Sequence, residues 1–360
     1  MGGPPEVYDA LALFQQRAVQ VQRRFSLSAD VLPDVIRICR LVEGLPLGVE
    51  LAAAAVGEQP CAAIAGALER TFDALESPLR DVFGRHRSLR VVFEYAWGLL
   101  TAAERDSFAA LAVFAGSFEA EAASAIAGVN RATLTALAAK SLLAFDGGRY
   151  SWHEATRQYA WEQLLASARV EQLRDRHGAF FAARVRDSAA LLEGPLAQAA
   201  LSVLESDRAN IQAAWSWAVS QRQIAPLAEM VEGLRKFYRR RGPVVEGLRL
   251  LEQVLALPSA VLPPDFEARV RAAQVQLLGL QLRFDEGVES AARLIALGEG
   301  LGAPLVQAEG YLLEGQTLQQ QGKFEAAQQA LESGLERLDA LQTAEGEHCR
   351  LTANLLRELG

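Results

Sequence analysis

The sequence predicts an all-α protein with one small β-hairpin, built as a helical bundle, a hairpin-bearing domain and a helical solenoid. Hydrophobic residues make up 51% of the 360 residues and charged residues 22%, which is a globular composition. Apolar residues recur at helical spacing along most of the chain and alternate as in strands at one place. The last third also carries small residues at intervals of 40 residues, which indicates a structural repeat.

Charge and cysteine content disfavour several classes of protein. The formal net charge of −8 argues against non-specific binding of nucleic acid by the whole chain. The three cysteines, Cys39, Cys61 and Cys349, lack the spacing of metal ligands and occupy apolar helical positions, so we expect reduced core thiols. No segment approaches the roughly 18 apolar residues of a membrane helix, and the first residues lack the features of a secretory signal. We therefore expect a soluble, cytoplasmic protein with no membrane partner.

Residues 1–80 are predicted to form a compact helical bundle. The predicted helices cover residues 7–24, 32–41, 46–56 and 60–75. The second and third helices meet at a Gly-Leu-Pro-Leu corner, residues 44–47. Gly44 can adopt the left-handed conformation that ends a helix, and Pro46 suits the first turn of the next helix, where a missing N–H costs nothing.

Residues 81–170 are predicted to form a winged-helix domain. The predicted helices cover residues 89–100, 101–111, 119–126, 130–141 and 153–166. A Thr-Ala-Ala-Glu capping box at residues 101–104 starts the second of them. The period then changes from 3.6 to 2 at residues 142–145 and 149–152, which flank an Asp-Gly-Gly turn and predict a hairpin. Several helices followed by one small hairpin are typical of a winged helix.

Residues 171–360 are predicted to form a tetratricopeptide-like α-solenoid. The repeat is marked by small residues, by apolar residues three positions before them and by apolar residues four positions after them: Gly247, Gly287 and Ala327; Val244, Phe284 and Phe324; Leu251, Ala291 and Leu331. Small residues let paired helices approach, and we expect the aromatic residue to fill the groove between them. The period exceeds the usual 34 residues, so the repeat is degenerate. The next small residue would fall at position 367, so we expect the solenoid to end in mid-repeat.

The corner at residues 44–47, within its context of residues 36–54, resembles the GLPL element of NB-ARC-type signal-transduction ATPases. These STAND proteins include bacterial regulators that carry tetratricopeptide repeats. Further motifs occur in the family's order, so that the resemblance covers about residues 6–170. They lie at residues 85–89, 99–105, 111–116, 140–143 and 153–160. The chain thus resembles the middle and C-terminal part of such a regulator, many of which are transcriptional activators.

The resemblance implies nucleotide contacts at two places. In the family the GLPL element belongs to a lid that closes on adenine, which implies adenine-side roles for Pro46 and Leu47. His153 follows the second predicted strand and matches the histidine of the MHD-type motif, which reaches the β-phosphate of ADP and holds the off state. The flanking Met and Asp of that motif are Trp152 and Glu154 here. The other interpretation of His153 is that it only caps the helix or packs beside Trp152.

The sequence carries no recognisable catalytic set. It contains no Gly-x-x-x-x-Gly-Lys-Ser/Thr loop and no strand that ends in paired acidic residues. The histidines are His86, His153, His177 and His348, and none has a partner at metal-ligand spacing. We therefore expect no enzyme activity, no metal and no cofactor in this chain alone. ADP or ATP is expected only if an ATPase core precedes Met1.

By resemblance, the implied mechanism is a two-state switch. ADP bridged by the lid and His153 would hold a closed monomer, and an inducer or protein partner on the solenoid would favour the open state, ATP exchange and oligomerisation. DNA contact is expected only through a domain outside this chain.

Two other functions stay open. One is a stand-alone repeat adaptor that binds a protein partner without nucleotide. The other is a winged-helix DNA-binding protein, which is disfavoured because the presumed recognition helix carries only Arg131 and Lys140 as cations. A basic cluster at residues 85–87, extended by Arg90, precedes the domain's first helix.

Two segments of the solenoid are interpreted structurally. At residues 207–217 we expect Asn210 either to start a helix or to hydrogen-bond between helices, and we expect a core of Ile211, Ala214 and Trp217. Residues 239–241 are three consecutive arginines, which we interpret as a solvated helix end, with binding of an acidic peptide as the alternative.

Overall fold

A computed structural model describes residues 5–76, 84–339 and 346–359. These residues form eighteen α-helices, one 3₁₀ turn and three short strands, so the all-α prediction with one small β element is confirmed. The chain divides into two compact units, Met1–Leu173 and Arg174–Gly360. The boundary predicted at residues 80 and 81, between the bundle and the winged helix, lies outside the described residues, and the three-domain division stays a prediction.

The first unit begins with the predicted bundle. Its helices are α1 (Pro5–Val21), α2 (Leu32–Leu41), α3 (Pro46–Ala54), which continues as a 3₁₀ turn over Ala55–Gly57, and α4 (Cys61–Glu76). Helix α1 packs on α3, and α2 packs on α4. The core between them consists of fully buried apolar side chains, among them Phe14, Val35, Ile38, Val49, Ile64 and Leu68. All four predicted helices are present.

The corner between α2 and α3 has the predicted geometry. Gly44 has φ of +66°, and its N–H donates to the carbonyl of Cys39 at 2.8 Å. A Cβ at this position would meet open space, so glycine is favoured here by the left-handed backbone conformation and not by close packing. Pro46 lies in the first turn of α3, and its fixed φ starts the next helix directly after the corner.

The rest of the first unit carries the sheet. Its elements are α5 (Gly84–Gly98), α6 (Ala102–Leu111), β1 (Phe118–Glu119), α7 (Ala120–Ala127), α8 (Arg131–Ala139), β2 (Ala144–Asp146), β3 (Arg149–Ser151) and α9 (Glu154–Leu165). The capping box is confirmed: the Thr101 N–H donates to Glu104 Oε2 at 2.8 Å, and the Glu104 N–H donates to Thr101 Oγ1 at 3.2 Å. Strands β2 and β3 form the predicted hairpin.

Strand β1 is not among the elements predicted from the sequence. Strand β1 pairs with β3, which places Phe118 opposite Tyr150 in an antiparallel sheet of order β1-β3-β2. A helix was predicted to begin at Glu119, but this residue belongs to the strand. Two residues are too short to show an alternating pattern, and the strand is fixed by the packing of the fully buried Phe118 on Phe114, whose ring centroids lie 4.3 Å apart.

The second unit is helical throughout its described part. Its helices are α10 (Val170–Leu191), which begins in the first unit, α11 (Ala197–Ser220), α12 (Ile224–Arg240), α13 (Val244–Leu255), α14 (Pro264–Leu280), α15 (Phe284–Gly300), α16 (Pro304–Gln320), α17 (Phe324–Asp339) and α18 (Gly346–Leu359). From α12 to α17 they form three pairs with the predicted period of 40 residues. The three residues predicted to mark the repeat, Val244, Phe284 and Phe324, are the first residues of the second helices.

The small residues of the repeat lie where helices approach closely. A Cβ on Gly247 would lie 2.6 Å from Cγ of Tyr238, and one on Gly287 would lie 3.1 Å from Cγ2 of Thr317. The equivalent Ala327 is 1% exposed. The expectation for the aromatic residue is wrong for the last repeat, because Phe324 is 66% exposed at the start of α17 and fills no groove.

The other structural expectations have mixed outcomes. Asn210 is buried and its Oδ1 lies 3.4 Å from Nε2 of His177, so the predicted contact between helices is confirmed. Burial lowers the pKa of His177 to about 4. Cys39 and Cys61 are buried, but Cys349 is exposed, so its assignment to the core is wrong. None of the helices in the described ranges is both long and apolar enough to span a bilayer.

Candidate functional site

One cavity of the first unit brings together the three residues predicted to contact nucleotide. It encloses about 720 Å³ and is lined by Pro46 and Leu47 at the start of α3 and by His153 at the start of α9. Side chains of α1, the end of α8 and the hairpin complete the lining. The fold thus joins two distant sequence motifs on one surface, which is a condition for their acting on one ligand.

The side of the cavity near α3 is mainly apolar. Pro46 is exposed, Leu47 is half-buried, and both follow Leu45, which has extended dihedral angles and gives α3 no side-chain cap. Phe145 of β2 also lines the cavity and is 57% exposed. A planar apolar ligand could pack against the proline and the leucine and stack on the exposed aromatic ring.

His153, from the second of the two motifs, is the N-cap of α9. Its Nδ1 accepts a hydrogen bond from the Ala155 N–H at 3.2 Å, so the capping interpretation is confirmed. With Nδ1 as acceptor, hydrogen-bond geometry assigns the proton of the neutral ring to Nε2. The side chain is exposed, and Nε2–H is a donor at a helix N-terminus, where anions are favoured.

Trp152 also lines the cavity, and its indole ring carries one N–H group. Its Nε1 is buried and has no hydrogen-bond partner among the described residues, and its ring makes edge contacts with Phe108 and Phe118. A buried donor without an acceptor is costly, and a polar ligand or water can satisfy it. Trp152 occupies the position of the methionine in the MHD-type motif, so this donor is a departure from the family pattern.

Arg17 of α1 is a residue of the cavity that sequence reasoning missed. Its Nε donates to Ser141 Oγ at 2.7 Å, and its Nη2 donates to the carbonyls of Ala138 and Ala139, each at 3.1 Å. Ser141 has φ of +58° after the end of α8, and its Oγ donates to the carbonyl of Glu50 in α3 at 3.3 Å. These bonds, which we term the Arg17 junction, tie α1, α3 and the end of α8 together around the cavity.

The charge of Arg17 is partly desolvated. Burial lowers the pKa of its guanidinium, and the nearby Glu50 carboxylate opposes this shift. An arginine stays protonated at any ordinary pH, so the junction keeps a cation at the cavity wall. No local pattern reveals this role, because Arg17 stands in an amphipathic helix as an ordinary polar residue and the residues it joins at the end of α8 lie more than a hundred positions away.

The cavity has the volume and the mixed lining of a small-molecule site. Ligand sites enclose about 300–1,000 Å³ and combine apolar walls with a few polar groups. Pro46, Leu47 and Phe145 suit a planar apolar group, and the Nε2–H of the exposed His153 suits an anion. No cluster of metal-ligating side chains occurs within the described ranges. The arrangement places apolar surface beside a polar donor on one cavity wall, while a loop that wraps phosphates is absent from the sequence.

The helix predicted as the recognition helix for DNA carries two cations, and one of them, Lys140, is ion-paired. Lys140 Nζ lies 3.1 Å from Glu104 Oε2 and 3.4 Å from Glu58 Oε1, and it donates to the carbonyl of Leu99 at 3.2 Å. Arg131 is exposed at the start of α8. The side chains of the basic cluster at residues 85–87 lie outside the part that the structure describes.

Comparisons with known proteins point to bacterial regulators. A Mycobacterium tuberculosis protein named "Putative HTH-type transcriptional regulator" is 30% identical over 261 residues, which cover 69% of this chain and 29% of that protein. An uncharacterized protein of Mycobacterium bovis is 28% identical over 181 residues, covering 47% of this chain and 46% of that protein. The similarity to the named regulator confirms the prediction that the chain resembles bacterial regulators. The chain spans less than a third of that regulator's length.

A solved structure also matches over most of the chain. It is the crystal structure of a STAND protein with a tetratricopeptide repeat sensor from Pyrococcus horikoshii, with 13% sequence identity and a TM-score of 0.34. The match covers 97% of this chain and 62% of that chain. No family model matches the sequence.

Proposed function

We propose that this chain is the regulatory and sensor portion of a bacterial STAND ATPase that controls transcription in the cytoplasm. In this proposal the bundle is a lid, the sheet-bearing part is a winged helix, and both close on ADP or ATP held by an ATPase core outside the chain. The observation that carries the proposal is the cavity that joins Pro46, Leu47 and His153. The similarity to a named transcriptional regulator supports the regulatory role.

Each residue of the cavity has a binding role in this proposal. A nucleotide supplies an apolar base at one end and anionic phosphates at the other. Pro46 and Leu47 pack on the base, His153 donates its Nε2–H to the β-phosphate, and the N-terminus of α9 favours the negative charge. Arg17 positions the end of α8 through Ser141. None of these residues cleaves a bond, so hydrolysis belongs to the ATPase core.

The switch follows from contacts made in one state only. In the closed state the lid and His153 contact the nucleotide from two sides. These simultaneous contacts are lost when the lid and His153 separate. A ligand of the solenoid shifts the equilibrium only if it prefers the open state, and its effect equals that difference in affinity. We propose an inducer or protein partner on the solenoid in this role, and DNA contact through a domain outside this chain.

Variants of His153 in the protein as it occurs in its source cells test the proposal. Asparagine is a good N-cap and retains the bond to the start of α9, whereas alanine loses the cap at about 1 kcal/mol. Both lack the Nε2–H donor. We expect both variants to raise the uninduced output of a target-promoter reporter by at least about fivefold, because a coupling contact is lost.

The comparison between the two variants separates capping from nucleotide contact. If His153 acts on nucleotide, His153→Asn raises basal output even though its thermal stability equals that of the wild type. If only His153→Ala changes output, and it does so in proportion to lost stability, His153 is a structural cap and the proposed contact is wrong.

Binding of DNA by this chain is expected to be absent. A surface that tracks phosphates needs several free cations, but Lys140 is ion-paired and the net charge is −8. We expect a flat titration in a gel-shift assay with duplex DNA at low salt. Salt-dependent binding that disappears in Arg131→Gln would instead support the winged-helix DNA-binding function.

A stand-alone repeat adaptor is the second candidate function. The observation that favours it is the absence of a phosphate-binding loop from the sequence. The intact mass of the native protein, captured with an antibody and measured by mass spectrometry, separates the two functions. If the protein is the regulator, we expect a mass well above that of 360 residues. If it is the adaptor, we expect the mass of 360 residues and no affinity for ADP.

A further inference from the structure

The second unit contains a groove of about 730 Å³ that we term the solenoid groove. It is formed by the first helices of successive pairs, α12, α14 and α16, together with α18. Its floor consists of buried apolar side chains, namely Ala272, Val275, Leu312 and Leu313. Because the pairs repeat every 40 residues, equivalent side chains form rows across the groove, and Gln276 and Gln316 belong to one such row.

Two arginines of the solenoid groove have no ion-pair partner among the described residues. The exposed Arg239 donates only to the amide Oε1 of Gln276, at 3.3 Å. The guanidinium of Arg269 lies 5.6 Å from the ring centroid of Phe266 and is also exposed. By contrast, Arg235 forms an ion pair with Glu232 at 2.5 Å. In a chain of net charge −8, cations left over on one surface favour an anionic partner.

The carboxylates of the solenoid groove do not cancel these cations. Glu193, Glu232 and Glu309 line it. Lys236 Nζ lies 2.9 Å from Glu193 Oε1 and 3.2 Å from Glu232 Oε1, so two of the three carboxylates are already neutralised. Arg357 of α18 also lines the groove, and its Nη2 lies 3.6 Å from Glu358 Oε1.

The amide side chains of the groove suit a peptide backbone. Gln276 accepts from Arg235 and Arg239 through Oε1, and its NH₂ group has no partner among the described residues. Gln320 and Asn354 line the same surface. Amide side chains offer both donors and acceptors, which match the N–H and C=O groups of an extended chain.

We propose that the solenoid groove binds an acidic peptide segment of a protein partner. This rests on the proposed function, because it names the chemistry of the partner expected on the solenoid. Carboxylates of the segment pair with Arg239 and Arg269, whose planar guanidinium groups match carboxylate geometry, and an apolar side chain lies on the floor. A peptide fits better than a small acid because the two arginines stand on different helices and apolar floor residues also need cover.

The test is fluorescence anisotropy of the full chain with three short labelled peptides of one design. Each peptide has a central leucine flanked by alanines that alternate with a second residue type. This second residue is glutamate in the first peptide, glutamine in the second and lysine in the third. We expect the glutamate peptide to bind at least about tenfold more tightly than the other two, and Arg239→Gln/Arg269→Gln to remove this advantage. Arg293→Gln is the matched control, because Arg293 is an exposed arginine of α15 outside the groove and pairs with Glu289 of its own helix.

The outcomes separate this inference from the function on which it rests. Equal binding of the three peptides would leave the solenoid as a sensor but overturn the acidic partner. Displacement by succinate as readily as by unlabelled peptide would assign the groove to small acids and also overturn it. If Arg293→Gln weakens binding of the glutamate peptide as much as the double variant does, the site itself is contradicted. The absence of binding of any of the three peptides would contradict it as well. The nucleotide switch is judged separately by the His153 variants.

Discussion

Replacing Trp215 by alanine is expected to lower the free energy of unfolding of the second unit by about 3–5 kcal/mol. Trp215 is fully buried in α11, and its Nε1 donates to the carbonyl of Leu250 in α13 at 2.9 Å. Truncation removes a large apolar surface, leaves a cavity and breaks a buried hydrogen bond. Urea unfolding of the full chain, followed by far-ultraviolet circular dichroism, measures the loss.

Trp217 is the matched control, since it lies in the same helix and receives the same substitution. It is half-buried, its Nε1 donates to Asp175 at 2.9 Å, and the Arg174 guanidinium lies 4.7 Å from its ring centroid. These surface contacts are worth about 1 kcal/mol, so Trp217→Ala is expected to have a much smaller effect. An equal loss in the two variants would contradict the packing of α11 described above.

Replacing Arg17 by alanine is expected to destabilise the first unit by about 2–3 kcal/mol. The side chain makes charged hydrogen bonds to Ser141 Oγ and to the carbonyls of Ala138 and Ala139, and its loss leaves the end of α8 without these partners. We also expect faster amide hydrogen exchange at the end of α8 and in the hairpin that follows it. Thermal unfolding and hydrogen exchange with mass spectrometry measure the two effects.

Two further variants control for the loss of charge. Arg24→Ala removes an exposed arginine after α1 and is expected to change stability by less than about 0.5 kcal/mol. Arg17→Lys keeps the charge but not the planar fork, so it should lie between wild type and Arg17→Ala. If Arg24→Ala destabilises the unit as much as Arg17→Ala, the effect comes from net charge and the Arg17 junction contributes nothing specific.

The sequence predicts best where a structure depends on neighbouring residues. The corner at residues 44–47 follows from the backbone preferences of Gly44 and Pro46, and the capping box follows from Thr101 and Glu104 alone. The repeat of the solenoid was also predictable, because close helix packing at a fixed interval favours small residues at positions 247, 287 and 327.

Predictions failed where tertiary packing decides. The expected core position of Trp217 is wrong, since α11 turns Trp215 inward and leaves Trp217 half-exposed. Two tryptophans two positions apart point in different directions on a helix, and sequence period alone did not choose between them. Strand β1 depends on pairing with β3, and Phe324 depends on the neighbours of α17, so neither has a local signal.

The candidate site was predicted in part. The resemblance supplied Pro46, Leu47 and His153, and the structure brings all three to one cavity. The Arg17 junction could not be predicted, because the contacts between Arg17 and Ser141 join residues 124 positions apart and arise only when α1 and α8 come together. The contact of Pro46, Leu47 and His153 with nucleotide stays a proposal.

The amount of ADP released on denaturing the protein purified natively from its source cells tests the central claim most directly. The account predicts ADP bound to the wild-type protein, and substantially less in His153→Asn after the same dialysis, because the proposed contact between His153 Nε2–H and the β-phosphate is lost. Absence of ADP from the wild-type protein, or equal retention by His153→Asn, would contradict the claim that this cavity holds a nucleotide in the off state.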